Sequence, residues 1–456
     1  MANTAIEISA SDEVGLNHNY LSLDRTTAAG TTNIQISPVE GLLELGWQKK
    51  PCRSAGYRGA RSPPVMSTSA SSAQTAPAMN PLATNFQPKA AVAIDKTQLI
   101  KREWLEMRPV KGKGLGLFAV NYIPCGARIL SEEPLLKITN HKLHSVWAPY
   151  CRLSTAQKAV YDNLHVFAPP HLDLEHTART SLLNNHSRIR EPVESAVADR
   201  VRAMSIFACN NFLTSPNGCA VYGIASRLNH SCIPNVHHSY NSKLQSLTVH
   251  AVRDILPNEE LLTNYLGSEA TYQSASKRMA YCLQAYGFIC RCPACADQTG
   301  ASDSRRELMA LYKSGLHHFN TKDLVPHSFI PANPAAALKQ AEDIVGVMLT
   351  EGIVNMDLCK AWRSASSQAL AMRDFNLAFQ YARSEAAVEK NCLGTTLRDL
   401  HKAGVSTECW IEEIYDVMRE THGPAATDAY RQDVKKLQKK ANLKLRQEVE
   451  KSVSTQ

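Results

Sequence analysis

With 456 residues, 44% of them apolar and 20% charged, the chain has the composition of a globular protein of about two or three domains, which excludes a wholly disordered or membrane-embedded one. Lys and Arg outnumber Asp and Glu by 50 to 42; the resulting +8 suits an acidic partner such as chromatin or RNA, but a solvated surface explains it as well, so direct nucleic-acid binding is not indicated. No run approaches the ~20 apolar residues of a membrane helix, and Met1 to Asn17 holds Glu7, Asp12 and Glu13 without an apolar signal-peptide core.

The 13 cysteines, an odd number, point to thiols and metal ligands rather than a disulfide framework, and the expected address is nucleus, cytoplasm or both. In chain order, residues 1–95 read as a disordered tail, dense in Ser, Ala, Pro and Thr from Ser62 to Ala91, with a helical turn at Glu40–Trp47. The tail also carries a basic patch of Lys49, Lys50, Arg53, Arg58 and Arg61. Order is expected from about Trp104. Leu115–Val120 reads as a strand, Tyr122–Gly126 as a turn, and Ala127–Leu136 as a second strand interrupted by Ser131-Glu132-Glu133-Pro134.

From about 141 to 212 the period becomes helical, as in Ser154–Leu164 and Glu194–Phe207, which places a helical insertion inside a β-rich domain. Leu244–Arg253 alternates as a strand, Leu256–Glu260 turns, and Leu261–Tyr265 is a short strand. Residues 268–286 read as one helix leading into a cysteine-rich segment. Beyond Asp303 the pattern is all helical. Asp357–Met372 and Asn376–Cys392 pair around Arg373-Asp374-Phe375, where Ala369, Phe375, Ala378, Tyr381 and Ala382 resemble a tetratricopeptide hairpin; an ordinary bundle fits equally. Thr427–Val449 reads as a long basic amphipathic helix.

Three stretches carry chemistry. Cys290-x-Cys292-x2-Cys295 places three thiols in a loop short enough to wrap one face of a tetrahedral ion, and Cys232, in a tight turn before Pro234, is the natural fourth donor to a structural Zn²⁺. Cys282 falls on the preceding helix and is left out, while Cys209 and Cys219 read as buried thiols. Around Cys232, Arg227-Leu228-Asn229-His230-Ser231-Cys232-Ile233-Pro234-Asn235 is too polar for a core strand. Lys113-Gly114-Leu115-Gly116 lacks the third glycine and following helix of a dinucleotide fingerprint, but its glycines allow close backbone approach to a ligand.

Together the KGLGLF loop, the RLNHSCIPN run, the NEELLTNY stretch and the GFICRCPAC cluster resemble the SET-domain lysine methyltransferases, most closely the fungal SET proteins and their SET-MYND relatives, over about residues 100–297. The resemblance implies an α+β fold: a SET domain over 96–267 with a pseudoknot and the helical insertion, a post-SET zinc segment over 268–297, and a helical C-terminal domain over 303–456. It implies S-adenosylmethionine as cofactor and a protein substrate, histone or other, offering a lysine. Lys113, Gly114, Leu115 and Gly116 would line the cofactor; Asn229 and His230 would hold it, Asn210 would lie on its side, and Phe288 would cover the adenine. Tyr265 would sit beside the methyl transfer, and Tyr286 would wall the lysine channel.

Residues 140–205 contain only Cys151, so the zinc-rich finger of SET-MYND proteins is absent. Two other readings remain open. One is a silent scaffold with the same fold and zinc, and the other is methylation of a small-molecule amine.

Overall fold

The structure, a computed structural model, describes residues 104–184, 193–215, 218–322, 329–394 and 406–436. The expectations for the N-terminal tail and for residues 437–449 of the last helix fall outside these residues. The described chain begins at Trp104. Strands β1 (Leu105–Val110) and β2 (Gly114–Ala119) form an antiparallel hairpin, with Leu117 and Ala119 turned into the core. The second expected strand divides at Glu133-Pro134 into β3 (Arg128–Glu132) and β4 (Leu136–Ile138).

The helical insertion follows as a short 3₁₀ turn (Leu143–Val146), α1 (Trp147–Arg152), α2 (Thr155–Asp162), α3 (Leu174–Asn184) and α4 (Val193–Asn210). Ser154 and Gln157 start α2 with a reciprocal capping box. Its core joins Tyr161, Leu182, Met204 and Phe207 to residues of β4.

Next come β5 (Phe212–Ser215), β6 (Gly218–Val221), β7 (Asn229–His230), β8 (Val236–Asn241), β9 (Ser246–Ala251) and β10 (Leu262–Thr263). The sheets are small: β3-β9-β8, β4-β6-β5 and the two hairpin strands, together with a two-rung parallel pairing of β7 with β10. That last pairing brings the RLNHSCIPN run against NEELLTNY. Asn235 closes it, its side chain donating to the Glu260 carbonyl (2.8 Å) and accepting from Leu262 N–H (2.7 Å). Buried Glu132 holds the turn that leads into the run, accepting from the backbone N–H groups of Gly223, Ile224 and Ala225 at 2.8–2.9 Å. Burial outweighs those three donors and pushes its carboxyl up to about 6.

The expected helix over 268–286 is two helices, α5 (Ser268–Thr271) and α6 (Ala275–Tyr286). A continuous helix would pair the Thr271 carbonyl with Ala275 N–H. Instead Arg306 donates to that carbonyl (2.7 Å), and the Asp303 carboxylate accepts from Ala275 N–H (2.8 Å), so each end of the missing bond is satisfied from a later helix.

After α7 (Pro293–Ala296) the described chain is helical: α8 (Ala301–Thr321), α9 (Pro334–Thr350), α10 (Met356–Ala371), α11 (Phe375–Leu393), α12 (Thr407–His422) and a final run over 424–436. Asn333, Asn355, Asp374 and Ser406 cap the N-termini of α9 to α12. Small buried residues, among them Ala341, Ala365, Ala369, Ala378 and Ala382, line the packed faces of α9, α10 and α11. The expected hairpin around Arg373 is present. No described helix is long and apolar enough to cross a membrane.

Helix α11 packs on β8 and β9, where His237 and His250 lie opposite each other. Burial pushes both imidazoles down to about 4 and that of His238 to about 3. A histidine with a depressed pKa contributes stability that is present above about pH 6.5 and is lost as the pH falls through its folded value. His250 is 1% exposed, and its shift corresponds to roughly 3 kcal/mol. Urea midpoints are therefore expected to fall between pH 7 and pH 4, and to fall less in His250→Gln.

Candidate active site and metal centre

The hairpin turn between β1 and β2 presents Lys113–Gly116 to the central run. Lys113 Nζ pairs with Glu260 Oε2 (3.1 Å), and Glu260 Oε1 accepts from Asn229 Nδ2 (2.8 Å), which also reaches the Leu115 carbonyl (3.3 Å). A Cβ on Gly116 would lie 2.8 Å from Glu260 Oε1 and 2.9 Å from Asn229 Nδ2, so only glycine fits between them. Glu260 was expected only as part of a turn; its place in NEELLTNY, five residues before Tyr265, was the available signal.

His230 is 6% exposed, and burial pushes its imidazole down to about 4. Its Nδ1 accepts from Tyr265 N–H at 3.0 Å, and the two rings lie 5.2 Å apart. The Tyr265 hydroxyl donates to the Leu228 carbonyl. Tyr286 stands 5.0 Å from Tyr265 ring to ring, Phe288 lies 6.2 Å from each, and Tyr281 extends the aromatic group beyond Tyr286. Burial raises the hydroxyl pKa values of Tyr265 and Tyr286, so both stay neutral donors. Tyr265 and Tyr286 are half-buried.

Segment 165–167 underlies this wall, which no local pattern in the sequence signalled. His165 Nε2 lies 3.3 Å from the Tyr286 carbonyl, and the Phe167 ring sits where a side chain at Gly287 would be. Asn210 comes to the same region, but its amide donates to the carbonyls of His165 (2.8 Å) and Ile206 (2.7 Å).

The four sulfurs of Cys232, Cys290, Cys292 and Cys295 lie within 4.8 Å of one another, with Cys232 3.6 Å from Cys295 and 4.0 Å from Cys290. A tetrahedral zinc with bonds of about 2.3 Å sets sulfurs about 3.8 Å apart, so spacing and donor type fit the ion. Locally, Pro293 starts α7, and the N–H groups of Cys295 and Ala296 return to the Cys292 carbonyl at 2.9 Å, folding Cys295 back over Cys292. Hydrogen bonds from neighbouring cysteines, first Cys232, hold the Cys292 thiol far below its ordinary range and pull Cys295 down to about 7.

Two fully buried arginines flank the cluster, both missed in the sequence. Arg278 donates to the Ala294 carbonyl (2.9 Å) and to Cys295 Sγ (3.5 Å); Arg306 pairs with Glu351 (3.1 Å) and reaches the Cys232 carbonyl (3.3 Å). A buried guanidinium needs an anion nearby, and four thiolates around one divalent ion make a net dianion. Cys282, as expected, is buried beside the four but not one of them, and burial pushes Cys209 up to about 12 and Cys219 up to about 11.

Residues 114–266 match the family model described as SET domain. The chain carries a SET domain. Over 208 residues it is 30% identical to the histone-lysine N-methyltransferase set5 of Schizosaccharomyces pombe, a match covering 45% of this chain and 55% of that one. It is 27% identical over 199 residues to the putative SET domain-containing protein L678 of Acanthamoeba polyphaga mimivirus, covering 41% and 75% respectively. Human protein-lysine N-trimethyltransferase SMYD5 is 35% identical over 78 residues, 17% of this chain and 19% of that one. The chain thus spans little more than half the length of set5. Among solved structures, Rubisco LSMT bound to AdoMet covers 63% of this chain and 88% of its own at 11% identity and a TM-score of 0.28, too low for residue-by-residue comparison. The SET domain match takes in the glycine turn, Asn229, His230, Cys232 and Tyr265; Tyr286, Phe288 and the other three cysteines lie beyond it.

Proposed function

We propose that this chain is an S-adenosylmethionine-dependent protein-lysine N-methyltransferase, with a structural Zn²⁺ held by Cys232, Cys290, Cys292 and Cys295. The observation that carries the reading is that the glycine turn, Asn229 and Tyr265 of the SET domain match meet the Tyr286–Phe288 wall that follows it. Lys113, Gly114, Leu115, Gly116, Asn229 and His230 would hold the cofactor, Phe288 would cover it, and Asn210 would support that side through its carbonyl contacts. Bound there, S-adenosylmethionine supplies a methyl group on a sulfonium, open to direct displacement, so positioning carries much of the rate.

The chain's own residues meet the harder requirement on the acceptor. A lysine with a pKa near 10.4 costs about 4.6 kcal/mol to present neutral at pH 7. The aromatic crevice of Tyr265, Tyr286 and Phe288 disfavours the ammonium by desolvation. The Tyr265 hydroxyl and the Leu228 carbonyl, already joined, then offer polar groups to orient the amine.

The substrate class follows the relatives, one named a histone-lysine and one a protein-lysine methyltransferase, with nucleus or cytoplasm as the place of action. Incubation with tritiated S-adenosylmethionine, a histone panel and a cell lysate is expected to label a protein band. Absence of cofactor binding by calorimetry would end the reading. Gly116→Ala, which drives a methyl group against Glu260, Asn229 and Val110, is expected to weaken that binding by about tenfold or more, with a loss of stability of about 1–3 kcal/mol.

A further inference from the structure

We propose that the His230 side chain is a positioning residue that joins the Cys232 sulfur to the backbone of Tyr265, so that loading of the cysteine cluster sets the place of the tyrosine. The inference rests on the zinc and methyltransferase readings above, but its hydrogen bonds are fixed by this chain alone. A backbone N–H can only donate, so the 3.0 Å contact from Tyr265 N requires a lone pair on His230 Nδ1. A neutral imidazole then carries its proton on Nε2. That nitrogen lies 3.4 Å from Cys232 Sγ in a site where His230 is 6% and Cys232 0% exposed, so the sulfur is its direct partner. A metal-bound thiolate offers no proton of its own and accepts this one; a free thiol would hold a second proton in the same buried space.

The position in the chain gives the bridge its purpose. The parallel rungs of β7 and β10 end at Thr263 opposite His230, with Ser231 N–H donating to the Thr263 carbonyl at 2.9 Å. Beyond that point Asn264 and Tyr265 leave the ladder. The imidazole adds one more rung, holding the Tyr265 backbone while its hydroxyl is held at Leu228. Tyr265 is thereby tied to the central run at both ends, and one tie begins on a metal ligand.

The full chain loaded with ¹¹³Cd and labelled with [¹⁵N]histidine tests this directly. The expected result is the Nε2–H tautomer at His230, with a resolved scalar coupling from that proton through Cys232 sulfur to cadmium. An Nδ1–H tautomer, or no coupling, would overturn the inference. A second arm uses His230→Asn, which leaves the backbone in place and offers an acceptor near the Nδ1 position, but no donor at Nε2. Metal release to a chromogenic chelator is expected to quicken about tenfold. Unchanged metal release would sink the bridge. The spectroscopic arm needs no turnover, so a chain that transfers no methyl group would refute the functional reading while the coupling still decides this one.

Discussion

Stripping the metal from the four-cysteine cluster with a chelator is expected to lower the thermal unfolding midpoint by about 10 °C or more, and zinc is expected to restore it. Structural zinc contributes about 10–16 kcal/mol in small peptides. Here it would join the central run at Cys232 to the segment carrying Cys290, Cys292 and Cys295, and the crevice residues Tyr286 and Phe288 lie just before that trio. Loss of the thiolates would also leave Arg278 buried with Asp303, at 3.3 Å, as its ion-pair partner among the described residues. Breaking a buried charge pair in this way is itself strongly destabilising. Cys292→Ser should reproduce most of the shift, whereas Cys151→Ser, exposed and not one of the four, should leave the midpoint in place. A protein shown by elemental analysis to be free of metal, yet melting at the original temperature, would refute the structural role.

Tyr265→Phe is expected to lower kcat about 100-fold or more while leaving KM for S-adenosylmethionine nearly unchanged. The substitution removes one oxygen from a half-buried ring. That oxygen holds the ring to the Leu228 carbonyl, in the run that also supplies Asn229 and His230. Without it the ring keeps its packing on Tyr286 and Phe288 but loses its tether, and an acceptor amine loses one of the two polar groups that aim it. Tyr281→Phe is the control. Its ring lies 6.4 Å from Tyr286, and a loss of no more than a few-fold is expected. Steady-state kinetics on whichever protein band the tritium assay labels would separate the two variants. Equal losses would mean that Tyr265 acts only by filling space.

Several features could be read from residues near one another in the chain. Cys290, Cys292 and Cys295 announce a metal turn because three thiols sit within one loop, and Pro293 makes that turn tight. The helical insertion and the paired helices around Arg373 follow from composition and period, which are local properties. The glycine turn, Asn229, Cys232 and Tyr265 were recognisable because each lies in a short run with unusual chemistry.

Other features depended on contacts between distant residues. The break at Tyr272–Ser274 exists because Arg306 and Asp303 take the two groups of a helical hydrogen bond, and neither is visible from the helix pattern. Strand β8 reads Val-His-His-Ser-Tyr-Asn, too polar to announce itself, and is a strand because β9 pairs with it and α11 covers it. The same holds at the site, where Glu260 looks like half of an acidic turn until Lys113 and Asn229 converge on it. His230 illustrates the division best. Its presence beside Asn229 marked the run, but which nitrogen holds the proton is dictated by an amide 35 residues away and a sulfur on its other flank. Residue type and spacing thus determined which groups are present, whereas their partners, and so their protonation and aim, were decided by the long-range packing that buries them away from water.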